Sequence, residues 1–110
     1  MTDSDPAAYF WTLAATFLEQ PDVDRGTMMG FPCLRVEGAF CACAHRTSGD
    51  LIVKLSRERV VALIAEGTGQ PFAPAGRTFR EWVQVDRRDE VLWRGLIDEA
   101  VRRARDGSGA

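Results

Sequence analysis

The sequence predicts an α+β fold: a mainly antiparallel sheet packed against helices, in the order α-β-β-β-(β)-α-β-α, as a single domain over residues 1–110. Three observations lead there. Apolar residues recur with the helical period near both ends of the chain and again after Ser56. Between Thr27 and Leu55 that period gives way to short apolar runs broken by glycine and polar residues. The elements do not alternate strictly as strand, helix, strand, which excludes a doubly wound nucleotide-binding fold.

The first helix is framed by Asp5, suited to the N-cap, and Pro6, suited to the first helical position. Phe10, Leu13, Ala14, Phe17 and Leu18 form its apolar stripe. Pro21 stops it, because the residue before a proline is pushed out of helical geometry. Four strand-like runs follow: Met28 to Phe31, Cys33 to Val36, Ala39 to His45, and Leu51 to Leu55. Glu37-Gly38 reads as a two-residue hairpin turn, and Thr47 to Asp50 as a longer one. Such a meander packs one face on helices and leaves the other partly wet.

Ser56 is placed to cap a second helix from Arg57 to about Glu66, with Val60, Val61, Leu63 and Ile64 as its buried side. Gly67 and Gly69 end it. Gln70 to Gly76 read as a loop whose Phe72 plugs onto the core. Arg80 to Val85 read as a strand. Asp86 is then the expected cap of a closing helix striped by Leu92, Trp93, Leu96, Ile97, Ala100, Val101 and Ala104. Residues 106–110 are polar and glycine-rich, the composition of a frayed tail.

Composition and charge narrow the function. A hydrophobic content of 45% with 27% charged residues excludes wholesale disorder. The chain has 14 basic residues, all arginine but Lys54, against 16 acidic ones, for a net charge of −2. That balance argues against a duplex binder working by electrostatics, which is normally basic. The first 24 residues hold no base, and Asp86 to Asp106 carry six arginines against six carboxylates. No apolar run approaches the length of a membrane span, and the N-terminus has no signal-peptide pattern. With three cysteines, too few and too odd in number for a disulfide scaffold, this points to the cytoplasm and to no membrane partner.

Groups that carry chemistry are few. His45 is the only histidine and sits at a strand end, so any Ser-His or Cys-His nucleophile would have to use it. Glu81 is the one carboxylate inside an expected strand, with Arg77 or Arg80 as its expected ion-pair partner. Cys41, Cys43 and His45 alternate along one strand and so share a face, but successive same-face residues stand about 6.8 Å apart, too far to close on one ion. In an unbroken hairpin Cys33 opposes Ala42 and lies on the other face, so three free thiols and no metal are expected. Gly67-Thr68-Gly69 follows a helix rather than a strand, which is the wrong place for a phosphate loop, and no cofactor is implied. The remaining signal is a basic set with an aromatic: Arg35, Lys54, Arg77, Arg80 and Trp82.

The run from Pro21 to Ala42, the hairpin Val36-Glu37-Gly38-Ala39-Phe40-Cys41-Ala42, the step Asp50-Leu-Ile-Val-Lys-Leu and the stretch Gly76 to Val85 together resemble the MmcQ/YjbR family and the related N-terminal domain of the TfoX/Sxy family. The likeness runs over about residues 8–105 and rests on the order and spacing of short motifs. It implies a compact α+β domain with a sheet against helices. Members of the first family are often called DNA-binding, and TfoX relatives are regulators of competence; no catalytic set is implied. The expectation is therefore a small, non-enzymatic, cytoplasmic regulatory or interaction module with a protein partner. The alternative is weak nucleic-acid binding through Arg35, Lys54, Arg77 and Arg80.

Overall fold

The computed structural model describes residues 5–107. Two tight turns organise the first half. Met29-Gly30 joins β1 (Val23–Met28) to β2 (Phe31–Val36), and Glu37-Gly38 joins β2 to β3 (Ala39–Ala44). Both central residues of each turn have positive φ, 53° and 78° in the first and 50° and 86° in the second. That mirror-image turn matches the twist of paired strands, with glycine at the second position where a side chain would be strained. The segment Met28 to Phe31, expected as a strand, is thus mostly turn, and the stretch before it, for which no strand is expected, is β1. Only Val23 of β1 is buried, so this edge strand has no apolar alternation to announce it.

After β3 the chain runs through β4 (Leu51–Lys54), α2 (Arg57–Ala65), the two-residue β5 (Gln70–Pro71), β6 (Trp82–Val85) and α3 (Glu90–Arg105); α1 (Ala8–Ala14) precedes them all. The six strands form one sheet in the order β1-β2-β3-β4-β6-β5, and every pairing is antiparallel. The α+β class and the mainly antiparallel sheet are as the sequence predicts, with the optional fourth strand present and β5 added. No helix among the described residues is long and apolar enough to cross a membrane.

One face of the sheet lies under the helices. Phe10 and Leu13 of α1, Leu63 of α2, and Trp93, Leu96, Ile97 and Val101 of α3 close over Leu34, Leu51, Val53, Val83 and Val85. Each such buried side chain stabilises the fold by roughly 1.5–3 kcal/mol relative to exposure. The other face carries Phe31, Cys33, Cys43, Ile52 and Trp82, and its lid is a loop that contributes Phe72 and Phe79. Phe72 is buried, as a plug should be.

Local chemistry shifts the starts of two helices. Asp5 Oδ1 accepts from the Ala7 N–H at 2.9 Å and closes a turn there, so α1 starts at Ala8 and Pro6 precedes it. Ser56 caps α2 as expected, its Oγ accepting from the Arg59 N–H at 3.1 Å. Val61, however, is 65% exposed, because it stands about 100° around the helix from buried Val60 and away from the sheet. The cap of α3 is Asp89, not Asp86; Asp89 Oδ1 accepts from the Leu92 N–H at 3.0 Å. Asp106 and Gly107 finish that helix, and the rest of the expected frayed tail lies outside the described residues.

The cysteine expectation is overturned. A register shift between Leu34 and Arg35 sets Arg35 opposite Phe40 but Leu34 opposite Ala42, which leaves Cys41 as an extra residue in β3. One extra residue reverses the parity of every position beyond it. Cys33 therefore opposes Cys43 with their Cα atoms 4.0 Å apart, and the two form a disulfide. Cys41 turns to the helix-covered face, so it does not share a face with Cys43 as an unbroken strand would require.

Candidate anion-binding groove

Four of the five expected binding residues meet in space. Lys54 ends β4 directly opposite Trp82 of β6. Arg77 and Arg80 sit in the loop that leads into β6, and Arg57 opens α2 beside them. Together with Thr78, Phe79 and Glu81 they line a groove of about 430 Å³. The sequence does not single out Arg57, although its place three residues after Lys54 and one after a helix cap is a legible signal.

The loop is held by backbone hydrogen bonds at both ends. The Phe79 N–H donates to the Phe72 carbonyl at 2.9 Å, and the Trp82 N–H donates to the Phe79 carbonyl at 3.1 Å. Phe79 packs edge-on against Phe72, with ring centroids 5.7 Å apart. The buried Phe72 plug thereby positions the exposed arginines. The Arg77 guanidinium stands 5.7 Å from the Phe79 ring, within cation–π range. Trp82 is only 8% exposed, so it forms the floor of the groove and offers no open ring. The strand expected from Arg80 begins only at Trp82, and Arg80 lies in the turn before it.

Charge pairing sets this groove apart. The other arginines of the described chain are mostly engaged: Arg35 with Asp24, Arg59 with Glu99, Arg88 with Asp50, Arg94 with Glu90, Arg102 with Asp98 and Arg105 with Asp22. Arg57, Arg77 and Arg80 take part in none of the ion pairs among the described residues. Glu81, expected to pair with Arg77 or Arg80, lies instead 3.9 Å from Arg103 of α3. Arg103 is largely buried there and leaves Nη1 without a hydrogen-bond partner. The groove is thus lined by four cations, with its carboxylate already facing another arginine.

Arg35 does not join them. It stands on β2, two strands from Lys54, and grips Asp24 with Nε and Nη2 at 3.1 and 2.8 Å. Donating that hydrogen bond to the Asp24 carboxylate holds the guanidinium pKa above its ordinary value. At the same sheet edge Asp22, Asp24 and Glu37 line an acidic cleft of about 400 Å³.

The remaining chemical candidates are occupied by structure. His45 Nδ1 accepts from the Thr47 and Ser48 N–H groups, each at 3.3 Å, and its ring lies 5.0 Å from Phe31. The Cys41 thiol is pushed up to about 12 by burial, which removes it as a nucleophile. Asp50, which sequence reasoning passes over, is the one buried charged residue of the described chain. It accepts from Gln84 Nε2 at 2.8 Å and Arg88 Nη1 at 3.2 Å, tying the β3–β4 turn to the approach to α3. Among the described residues no group of three or more His, Cys, Asp or Glu side chains is arranged to hold a metal ion. No family model matches the chain, and neither a curated protein nor a solved structure matches it.

Proposed function

We propose that this chain is a small non-enzymatic binding module of the MmcQ/YjbR type, and that it engages an acidic region of a protein partner through the Lys54, Arg57, Arg77 and Arg80 groove. The observation that carries the reading is the convergence of three arginines without carboxylate partners on one groove, in a chain whose net charge is −2. Where most other arginines of a protein are neutralised locally, a cluster of three arginines without ion pairs is where a complementary charge gains most. A non-enzymatic role is supported by the occupied state of His45, Cys41 and Glu81: nucleophile, base and orienter do not come together. A cytoplasmic placement goes with the reading and requires Cys33 and Cys43 to be reduced thiols in the cell.

Nucleic acid is the second reading, and one observation favours it: the cations gather more tightly than strand parity requires. Four phosphate contacts would give a salt slope near −3.6, at about 0.9 per phosphate. The aromatic rings count against it, since Trp82 is buried and Phe79 is already flanked by Phe72 and Arg77. Fluorescence anisotropy of a labelled glutamate-rich peptide and of a short labelled duplex, at two salt concentrations, tests the reading. Peptide binding lost in Arg77→Ala/Arg80→Ala, with duplex binding weaker than about 10⁻⁴ M at physiological salt, is the expected result. Micromolar duplex binding that weakens steeply with salt and depends on the same arginines overturns it in favour of nucleic acid.

A further inference from the structure

We infer that the groove seats a short acidic peptide segment bearing one aliphatic or aromatic anchor, with the anchor between α2 and Phe79 and the flanking carboxylates on Arg57, Arg77 and Arg80. The inference rests on the basic-groove reading above and adds the chemistry of the partner. The basic groove does not end at Trp82. It runs into an apolar slot of about 220 Å³ walled by Val60, Val61, Ile64 and Pro71, and the two share Arg57, Thr78, Phe79, Arg80 and Trp82.

The slot accounts for a side chain the fold does not use. Val61 is 65% exposed on α2 while Val60 and Leu63 of the same helix are buried. Two other large apolar residues are exposed, Met29 and Val91, but neither lines this concavity. Single exposed apolar residues are ordinary, whereas one that walls a slot beside arginines outside the ion pairs is placed to meet a ligand. A purely anionic ligand would leave the slot empty, and a purely apolar one would leave the arginines unmatched. An acidic segment with one apolar side chain satisfies both.

The recognition mode follows from the sheet edge. β5 has two residues, and Pro71 has no N–H to donate, so this edge offers a partner strand almost no ladder. Recognition here is by side chains in pockets rather than by strand addition. Nucleic acid fits the slot poorly, because the rings that would stack on a base are buried or already flanked.

The test uses the full chain and labelled peptides Glu-Glu-X-Glu-Glu, with Leu, Phe or Ala at X, read by anisotropy. The Leu or Phe peptide is expected to bind about tenfold or more tightly than the Ala peptide, the scale of burying one apolar side chain. Val61→Gln, a neutral change at an exposed helical position, should abolish that preference and leave the Ala peptide unaffected. Arg77→Ala/Arg80→Ala should weaken all three. Equal affinity for the three peptides, still dependent on the arginines, overturns the anchor and leaves the basic groove standing. Binding indifferent to the arginines overturns both. A single-stranded oligonucleotide that binds more tightly than every peptide, and does so through the same arginines, overturns the peptide in favour of nucleic acid.

Discussion

The two faces of the sheet solve the same problem with different materials. One is closed by helices whose stripes repeat every three or four residues, so each buried position supports the next. The other is closed by a loop whose Phe72 and Phe79 reach over Phe31, Ile52 and Trp82, with a disulfide laid across β2 and β3 beneath them. The helix-covered face is a continuous core, and its faults propagate. The loop-covered face is a smaller cluster stitched by single residues, and the loop that seals it also carries Arg77 and Arg80 into the groove. Stability resides mainly in the first face, and the proposed function in the lid of the second.

The largest effect is therefore expected under the helices. Trp93 is fully buried, and its indole N–H donates to the Arg87 carbonyl at 2.6 Å. Trp93→Ala should cost about 3–5 kcal/mol, and Leu96→Ala on the same stripe about 2–5 kcal/mol, because neither helix nor sheet can collapse into the cavity. Phe72→Ala on the opposite face should fall at the low end of the aromatic range, about 3 kcal/mol, since a loop relaxes more readily. It should also weaken acidic-peptide binding, which Leu96→Ala should not do once the protein is folded. Denaturation midpoints with binding measured in parallel check this. Equal binding losses in the two variants would mean that the faces are not separable.

What was legible follows the same division. Phe10, Leu13, Trp93, Leu96 and Ile97 announce the helix-covered face, because helical periodicity repeats often enough to survive local noise. Phe72 was legible as a plug for a simpler reason, an aromatic residue between two prolines with nowhere polar to go. The bulge was not. Nothing in Leu34-Arg35 or Phe40-Cys41-Ala42 marks an inserted residue, and one residue suffices to move Cys43 opposite Cys33. The edge strand β1 stayed hidden for want of alternation, and Val61 misled because a short apolar helix seldom reveals which side it buries. As for the groove, the cations and Trp82 are legible as residue types, whereas the absence of carboxylate partners exists only in three dimensions.

A smaller effect belongs to the Cys33–Cys43 bridge, which the two faces should feel unequally. It closes a short loop, with a sequence separation of 10 residues. The chain-entropy model gives such a loop about 2–3 kcal/mol, most of it through the unfolded state. Cys33→Ser/Cys43→Ser should lower the denaturation midpoint by that amount relative to oxidised protein, and much less relative to protein held in reductant. Thiol titration of denatured, air-exposed protein should find one thiol, Cys41. Acid-quenched alkylation of the protein in its own cells checks the cytoplasmic placement: three alkylated thiols support it, and a bridged pair assigns the chain to an oxidising compartment.

The smallest effect is a charge that pins the helix-covered face at its rim. Arg105, at the end of α3, grips Asp22 with Nε and Nη2 at 2.7 and 2.9 Å, joining the last helix to the corner before β1. The hydrogen bond from Arg105 holds the Asp22 carboxyl below its ordinary value of 3.8. A carboxyl with a folded pKa below its unfolded one binds more protons when unfolded, so stability rises with pH through that window. The contribution is whole above the ordinary value of 3.8 and disappears as pH falls through the lower folded value. Asp22→Asn never has it. The thermal midpoint of the parent should thus exceed that of Asp22→Asn by a small, constant margin at about pH 5–7, and the margin should shrink toward about pH 2. Added salt should reduce it as well, since the pair lies at the surface. A margin equally large at both ends of the pH range would show that Asp22 acts through packing, and that the rim of the helix-covered face, like its centre, is held without charge.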